Sequence, residues 1–321
     1  ALSLSGCQSS LSPDGQTAVT LSEVAHSIFY APQYAAIELG YFEEEGIDLT
    51  LVNAGGADKV MTSLISGDAQ IGFMGSEASI YVYQEGSDDP AVNFAQLTQR
   101  AGNFLVGRQA EEDFKWQDLK GKTVLGGRAG GMPQMVFEYI LKKNGLDPVN
   151  DLTIDQSISF GLTAAAFTSS AADYTIEFEP FATTLEMEGS GAVVASLGTE
   201  SGYVPYTAYS ARKSYLKQHP EVIQSFTNAI QKGLDYVNSH SSEEIAKVIS
   251  PHFKETPVDK LALIVERYKS QDTWKEDTVF EENSFTLLKR ILEEAGELKA
   301  EVPYNELVTM DFSKKAAKNS Q

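Results

Sequence analysis

A repeated alternation of strand and helix segments constrains the fold of this chain most strongly. Residues 17–24 alternate apolar and polar side chains, which indicates a strand. Residues 31–39 then have a helical pattern, with Pro32 in the first turn and Gly40 after the last. A second strand at 47–52, a glycine-rich loop and a helix at 58–65 repeat the unit. Alternating βα units predict an α/β fold built on parallel sheets.

The pattern continues in two series, which predicts two lobes. The first series has further strands at 71–74 and 92–99, and the second begins with a strand at 119–125. Helical periodicity dominates after residue 219, and only the two termini have a low-complexity composition. We therefore expect one lobe from residues 17–105 and 207–321, and another from residues 106–206. The expected hinge positions are Leu105 with Val106 and Thr207 with Ala208.

Length and charge restrict the class of protein. A chain of 321 residues can bury two cores, and no stretch reaches the roughly 20 apolar residues of a membrane helix. The net charge of −20 would repel a phosphate backbone, so nucleic acid is excluded as a partner. We expect a monomer with a well-solvated surface.

The single cysteine predicts a lipid anchor. Cys7 follows Leu4-Ser5-Gly6 and precedes a polar run, so residues 1–16 resemble a bacterial lipobox followed by a flexible tether. In such a signal the cysteine carries lipid, which places the protein outside the cytoplasm on the cell membrane. The alternative interpretation is an N-terminal cysteine without a role.

Candidate ligand-binding residues lie in loops that follow predicted strands. In open α/β sheets, ligands bind at the carboxyl ends of the strands, where helix N-termini present free N–H groups. Phe29 could stack on a flat ligand or belong to the core, and the glutamates could bind an amine or lie solvated at the rim. The full set of candidates is His26, Ser27, Phe29, Tyr30, Gly75, Ser76, Glu77, Arg128, Gly131, Met132, Phe160, Glu177, Glu179 and Tyr206.

The sequence has none of the common catalytic motifs. Gly-x-Ser-x-Gly, His-Glu-x-x-His, a Walker loop and a Gly-x-Gly-x-x-Gly after a strand are all missing. Four scattered histidines and one cysteine have no metal-ligand spacing. We therefore expect a binding protein without cofactor or metal. A two-lobed enzyme and a ligand sensor remain as alternatives.

Several segments resemble one family of solute-binding proteins. Residues 29–49, which begin Phe-Tyr-Ala-Pro-Gln-Tyr-Ala-Ala, are similar to its opening signature. Further similar segments are residues 57–72, 118–124, 178–181, 189–191 and 214–221. The chain is identified as a member of the NMT1/THI5-like family, whose members bind sulfonates, nitrate or pyrimidine precursors of thiamine.

This resemblance implies a fold and a transport role. Family members have the type II periplasmic-binding-protein fold, with two Rossmann-like lobes joined by two hinge strands. They deliver a ligand to an ABC permease driven by an ATPase. Arg128 and Gly131 favour an organic anion such as an alkanesulfonate, taurine or nitrate. Tyr30 and the three glutamates Glu77, Glu177 and Glu179 favour a neutral or weakly basic heterocycle such as a thiamine pyrimidine precursor, which is the ligand class that we expect. Yeast-type members are enzymes with a cysteine-rich motif, which this chain lacks.

Overall fold

The computed structural model describes residues 11–159 and 161–320, and these form two five-stranded mixed sheets. The first sheet contains β1 (Thr17–Glu23), β2 (Ile47–Asn53), β3 (Ile71–Gly75), β4 (Ala91–Thr98) and β10 (Thr207–Arg212). The second contains β5 (Phe104–Gly107), β6 (Thr123–Leu125), β7 (Thr153–Asp155), β8 (Tyr174–Glu177) and β9 (Ala192–Ser196). Their orders are β2-β1-β3-β10-β4 and β7-β6-β8-β5-β9. The two sheets therefore have the same strand topology.

Helices follow the strands of each sheet. The helices before the second crossover are α1 (Ala31–Glu38), α2 (Tyr41–Glu44), α3 (Ala57–Ser66), α4 (Glu77–Gln84), α5 (Met132–Lys143), α6 (Thr163–Ser169), α7 (Phe181–Met187) and α8 (Leu197–Ser201). Three 3-10 turns occupy Ile28–Tyr30, Trp116–Leu119 and Ser250–His252. None of the described helices is long and apolar enough to cross a membrane.

The C-terminal third is helical, as predicted. It contains α9 (Lys213–Gln218), α10 (Pro220–Ser239), α11 (Ser242–Ile249), α12 (Val258–Ser270), α13 (Glu282–Glu294), α14 (Tyr304–Leu307) and α15 (Asp311–Asn319). The low-complexity interpretation of the C-terminus was wrong for α15, which buries Ser313 and Ala316 and packs against α10. Helix α10 approaches α1 so closely that a Cβ on Gly233 would lie 2.2 Å from the Pro32 carbonyl oxygen.

One strand in each sheet runs against the others, which the expectation of parallel sheets did not include. β10 is antiparallel to β3 and β4, and β5 is antiparallel to β8 and β9. Each of these strands directly follows a segment that crosses from the other sheet. The crossing segments arrive at the carboxyl edge of the parallel strands, so the strand after each crossing runs away from that edge.

The crossing segments are residues 99–103 and 202–206. The expected hinge residues Leu105 and Val106 instead lie inside β5, paired with β8 and β9. Thr207 and Ala208 likewise lie inside β10. The second sheet thus begins at Phe104, two residues before the expected boundary.

Candidate functional site

A cavity of about 370 Å³ lies between the two sheets. Its lining comes from the loops after the parallel strands of both sheets and from the ends of the two crossing segments. The lining residues are Val24, Tyr30, 55–59, Gly75, Glu77, Asn103, 126–128, 131–133, 156–159, Gly161, Thr163, 176–178, Phe181, Tyr206 and Thr207. This volume matches a small-molecule ligand.

Five helices begin at the cavity. The first residues of α3, α4, α5, α6 and α7 all line it. This follows from the βα connectivity, since each helix begins after a strand that ends at the carboxyl edge of its sheet, and the cavity lies at that edge. Helix N-termini present free N–H groups and partial positive charge, so this surface favours negatively charged groups.

The protein's own carboxylate Glu77 occupies part of that surface. Glu77 is 3% exposed and opens α4. Burial raises the pKa of its carboxyl to about 7, while the backbone N–H groups of Glu77 and Met132 and the charge of Arg128 act in the opposite direction. The carboxylate folds over Gly75, where an added Cβ would lie 2.1 Å from Oε2. Gly75 therefore makes room for this carboxylate.

Glu177 is the second buried carboxylate of the cavity and comes from the other sheet. It ends β8 and is 3% exposed. The Thr163 hydroxyl, at the start of α6, lies 2.6 Å from Oε1 and 2.7 Å from Oε2. Burial raises the pKa of Glu177 to about 7, and the Thr163 hydrogen bond opposes the shift.

Several buried polar atoms around the cavity have no hydrogen-bond partner among the described residues. They are Oε2 of Glu77, both side-chain polar atoms of Asn103 and the hydroxyl of Tyr206. Buried polar groups in native proteins are nearly always paired, so these atoms need a partner such as an ordered water or a ligand. A ligand in the cavity can supply it.

The mouth of the cavity is bridged by contacts between the two halves. Arg128 Nη1 lies 3.4 Å from Asp58 Oδ1, and both side chains are more than half exposed. The Tyr81 hydroxyl donates a hydrogen bond of 2.5 Å to the Gly130 carbonyl. These two contacts link the two halves of the molecule beside the cavity.

Eight of the sequence-predicted residues line this cavity. They are Tyr30, Gly75, Glu77, Arg128, Gly131, Met132, Glu177 and Tyr206. Phe160 and the predicted lipidation residue Cys7 lie outside the described residues.

Three predicted residues near β1 and β3 face the protein interior instead. His26 contacts Glu23 Oε1 at 2.6 Å and the His252 carbonyl at 3.0 Å. Phe29 is fully buried, and its ring packs so closely on the first crossing segment that only glycine fits at position 102. The Ser76 hydroxyl donates to the Pro205 carbonyl in the second crossing segment.

The other two predicted residues outside the cavity join the two halves of the molecule. Glu179 Oε1 lies 2.9 Å from Nη1 of Arg267 in α12 and accepts a hydrogen bond from the Thr183 hydroxyl. The Ser27 hydroxyl donates to the Glu179 carbonyl at 2.6 Å. We call Ser27, Glu179, Thr183 and Arg267 the interlobe anchor.

Sequence reasoning missed Asn103 and Thr163. Asn103 lies in an extended run without periodicity, so its pattern suggested only a connecting segment. Thr163 is the first residue of α6, and its position next to Glu177 depends on the tertiary fold. Within residues 11–159 and 161–320, no group of three His, Cys, Asp or Glu side chains is arranged to hold a metal ion.

The known proteins similar to this chain include binding proteins and one type of synthase. "Putative binding protein YtlA" of Bacillus subtilis (strain 168) is 46% identical over 93% of this chain and 90% of its own length. The yeast 4-amino-5-hydroxymethyl-2-methylpyrimidine phosphate synthase THI11 (Saccharomyces cerevisiae) is 23% identical over 65% of this chain and 63% of its own length.

Solved structures share the fold at low sequence identity. The ligand-binding component of an ABC-type import system from Staphylococcus aureus superposes with a TM-score of 0.74 and 17% identity, covering 94% of this chain and 99% of that one. The periplasmic nitrate-binding protein NrtA from Synechocystis PCC 6803 gives a TM-score of 0.75 and 16% identity, covering 95% and 89%.

The predicted two-lobed periplasmic-binding-protein fold is therefore confirmed. The family profile described as "NMT1/THI5 like" matches residues 28–244, about two thirds of the chain. Together with the Bacillus relative, this match confirms the resemblance seen in the sequence. The chain belongs to the NMT1/THI5-like family.

Proposed function

We propose that this protein is the extracytoplasmic solute-binding component of an ABC importer. The observation that carries this proposal is the cavity between two sheets, lined by buried polar atoms that lack partners within the described residues. The names of the similar proteins support it, since one is a binding protein and another belongs to an ABC-type import system. The partners are then an ABC permease and its ATPase, and a lipid on Cys7 holds the monomeric protein at the membrane.

Capture works by closure of the two lobes on the ligand. Only residues 99–103 and 202–206 connect the two sheets along the chain, so these segments are the hinge in this proposal. The ligand contacts Glu77 from the first lobe and Glu177 from the second. Its higher affinity for the closed form shifts the equilibrium between open and closed protein.

The buried charges favour a weakly basic heterocycle as the ligand. Glu77 and Glu177 are buried, whereas the lining cations Lys59 and Arg128 are exposed. A buried carboxylate is stabilised by a ligand N–H, above all one that is positively charged. A thiamine pyrimidine precursor carries such groups, and the yeast relative is named for a pyrimidine of this kind.

An organic anion is the second candidate ligand. The five helix N-termini and Arg128 favour it, and the structural neighbour NrtA is a nitrate-binding protein. However, the N–H groups of Glu77 and Met132 already act on the Glu77 carboxylate. An anion would have to compete with that carboxylate for the same donors.

A thermal-shift screen tests the proposal. The purified protein is heated with pyrimidines, alkanesulfonates, taurine, nitrate, polyamines and amino acids. A ligand at about 100 times its Kd stabilises the folded state by about 2.7 kcal/mol, which raises the melting temperature. We expect stabilisation by aminopyrimidines without any turnover. Stabilisation by anions only would contradict the heterocycle, and turnover of a compound would contradict the binding-protein proposal.

A further inference from the structure

Asn103 has an unusual position in the molecule. It is the last residue of the first crossing segment, immediately before β5, and it is fully buried. It also lines the cavity between the sheets. Its side-chain amide has one donor group and one acceptor atom, and neither has a hydrogen-bond partner among the residues that the structure describes.

The backbone around Asn103 is well bonded, which distinguishes the side chain from its surroundings. The Asn103 carbonyl accepts from Leu197 N–H at 3.1 Å. The carbonyls of Ala101 and Gly102 accept from Gln271 and from the Tyr268 hydroxyl at 3.1 and 2.7 Å. A rigid backbone thus holds an unpaired amide beside the cavity.

The second crossing segment repeats this arrangement. Tyr206 is its last residue, immediately before β10. The Tyr206 hydroxyl is buried, lines the cavity and is also unpaired within residues 11–159 and 161–320. Each crossing segment therefore ends on a polar side chain that lies in the wall of the cavity and is unpaired among the described residues.

We propose that Asn103 is a specificity-determining residue that selects ligands carrying a hydrogen-bond donor next to an acceptor. A planar amide pairs with such an edge through two parallel hydrogen bonds, as asparagine does with adenine. A ring nitrogen beside an exocyclic amine offers this edge. Nitrate and sulfonates carry only acceptors and leave the Asn103 acceptor buried and unpaired, which weakens binding. This inference rests on the proposed function of the same cavity.

The test compares two ligands of the same shape. In 4-amino-5-hydroxymethyl-2-methylpyrimidine the amine donates beside a ring nitrogen, whereas 2,4-dimethyl-5-hydroxymethylpyrimidine has a methyl group in place of that amine. Both are titrated calorimetrically at a pH where both are uncharged, with ethanesulfonate as the acceptor-only probe. We expect the wild-type protein to prefer the amine by about tenfold or more.

Asn103→Leu should reduce this preference several-fold, because leucine has a similar volume and no polar atom, while Glu77 and Glu177 still favour the amine. The substitution removes no side-chain hydrogen bond, so the unliganded variant should melt at or above the wild-type temperature. Asn93→Leu is the matched control. Asn93 is buried and bonded to Ser79, Leu307 and Ser210, so its loss should lower the melting temperature and leave the preference unchanged.

The outcomes separate the two proposals. If Asn103→Leu keeps the wild-type preference, the role of Asn103 is overturned while the importer proposal stands. If ethanesulfonate binds the wild-type protein and neither pyrimidine does, both the role of Asn103 and the heterocycle are wrong.

Discussion

Glu177 and Glu179 are two residues apart on one loop, and both are buried carboxylates with a raised pKa of about 7. Glu177 lines the cavity, and the neutral Thr163 hydroxyl donates a hydrogen bond to its carboxylate. Glu179 is held by the guanidinium of Arg267 and by Thr183 in the interlobe anchor. The same residue type thus lines the cavity in one case and joins the two lobes in the other.

The two carboxylates differ in the partner that compensates for the burial of their charge. Burying a charge is costly unless a partner compensates it. For Glu179 the chain supplies a charged partner, whereas for Glu177 it supplies the neutral Thr163 hydroxyl, and we propose that a ligand supplies the charge. Glu179 also forms its ion pair with Arg267 of the opposite lobe. This ion pair holds the chain directly after β8, whose last residue is Glu177.

The pH dependence of stability should give the largest effect. Burial raises the pKa of Glu77, Glu177 and Glu179 from 4.5 to about 7, so the folded state binds more protons than the unfolded state between these values. The unliganded protein should therefore lose stability as pH rises through this window. Each carboxylate contributes up to about 3 kcal/mol. Urea unfolding across the window measures the slope.

Glu177→Gln sharpens this comparison. The variant should unfold with wild-type free energy at about pH 5, where Glu177 is neutral, and should be more stable than wild type at about pH 7.5. Glu179→Gln should gain less stability than Glu177→Gln at about pH 7.5, because there the ionised wild-type carboxylate is compensated by Arg267 and the variant loses that ion pair. If both variants changed the free energy of unfolding equally at each pH, the distinction between Glu177 and Glu179 would be contradicted.

Truncation of the anchor should give the next largest effect. Glu179→Ala removes the contacts to Arg267 and Thr183 and leaves a cavity, so we expect a loss of about 2–3 kcal/mol in unfolding free energy. Arg267 is partly exposed and can turn to water, which limits the loss. Glu177→Ala, as the matched control, should cost less than about 1 kcal/mol by urea unfolding, since one hydroxyl contact is lost.

Ligand affinity should depend more on Glu177 than on Glu179, which is the reverse of their order for stability. Glu177→Gln should weaken binding of 4-amino-5-hydroxymethyl-2-methylpyrimidine about 10- to 100-fold, because a hydrogen bond to a charged group contributes about 1.5–3 kcal/mol. Glu179→Gln should change the affinity only a few-fold through the position of the loop. Calorimetric titration measures both, and a larger loss in Glu179→Gln would contradict the assignment.

The exposed ion pair at the cavity mouth should give the smallest effect. Arg128→Gln breaks the contact to Asp58, and exposed pairs of this kind contribute at most about 1 kcal/mol. We expect less than about a fivefold change in pyrimidine affinity. A large loss of binding for an anion in this variant would instead identify Arg128 as an anion-binding residue.

Much of the fold could be predicted because local patterns determine it. Strand periodicity located β1 to within a residue, and helical periodicity identified the helical part of the chain after residue 219. The reversed strands β5 and β10 could not be predicted, since their direction depends on the edge at which the crossing segments arrive. Short α8 was also missed, because its first residues continue the apolar pattern of β9.

The candidate site could be predicted in its loops and only partly in its residues. Glycine-rich turns after strands indicated the cavity edge, since that rule follows from βα connectivity alone. Glu177 and Glu179 could not be distinguished, because the partner of Glu179 lies 88 residues away in sequence. Asn103 had no local signal, and its role depends on two crossing segments meeting at one cavity.

The most direct test is calorimetric titration of 4-amino-5-hydroxymethyl-2-methylpyrimidine into the wild-type protein and into the double variant Glu77→Gln, Glu177→Gln. We expect saturable one-to-one binding to the wild-type protein. We expect the double variant to remain folded and to lose binding. Unchanged affinity in the double variant, or binding of nitrate and alkanesulfonates in place of the pyrimidine, would contradict this expectation.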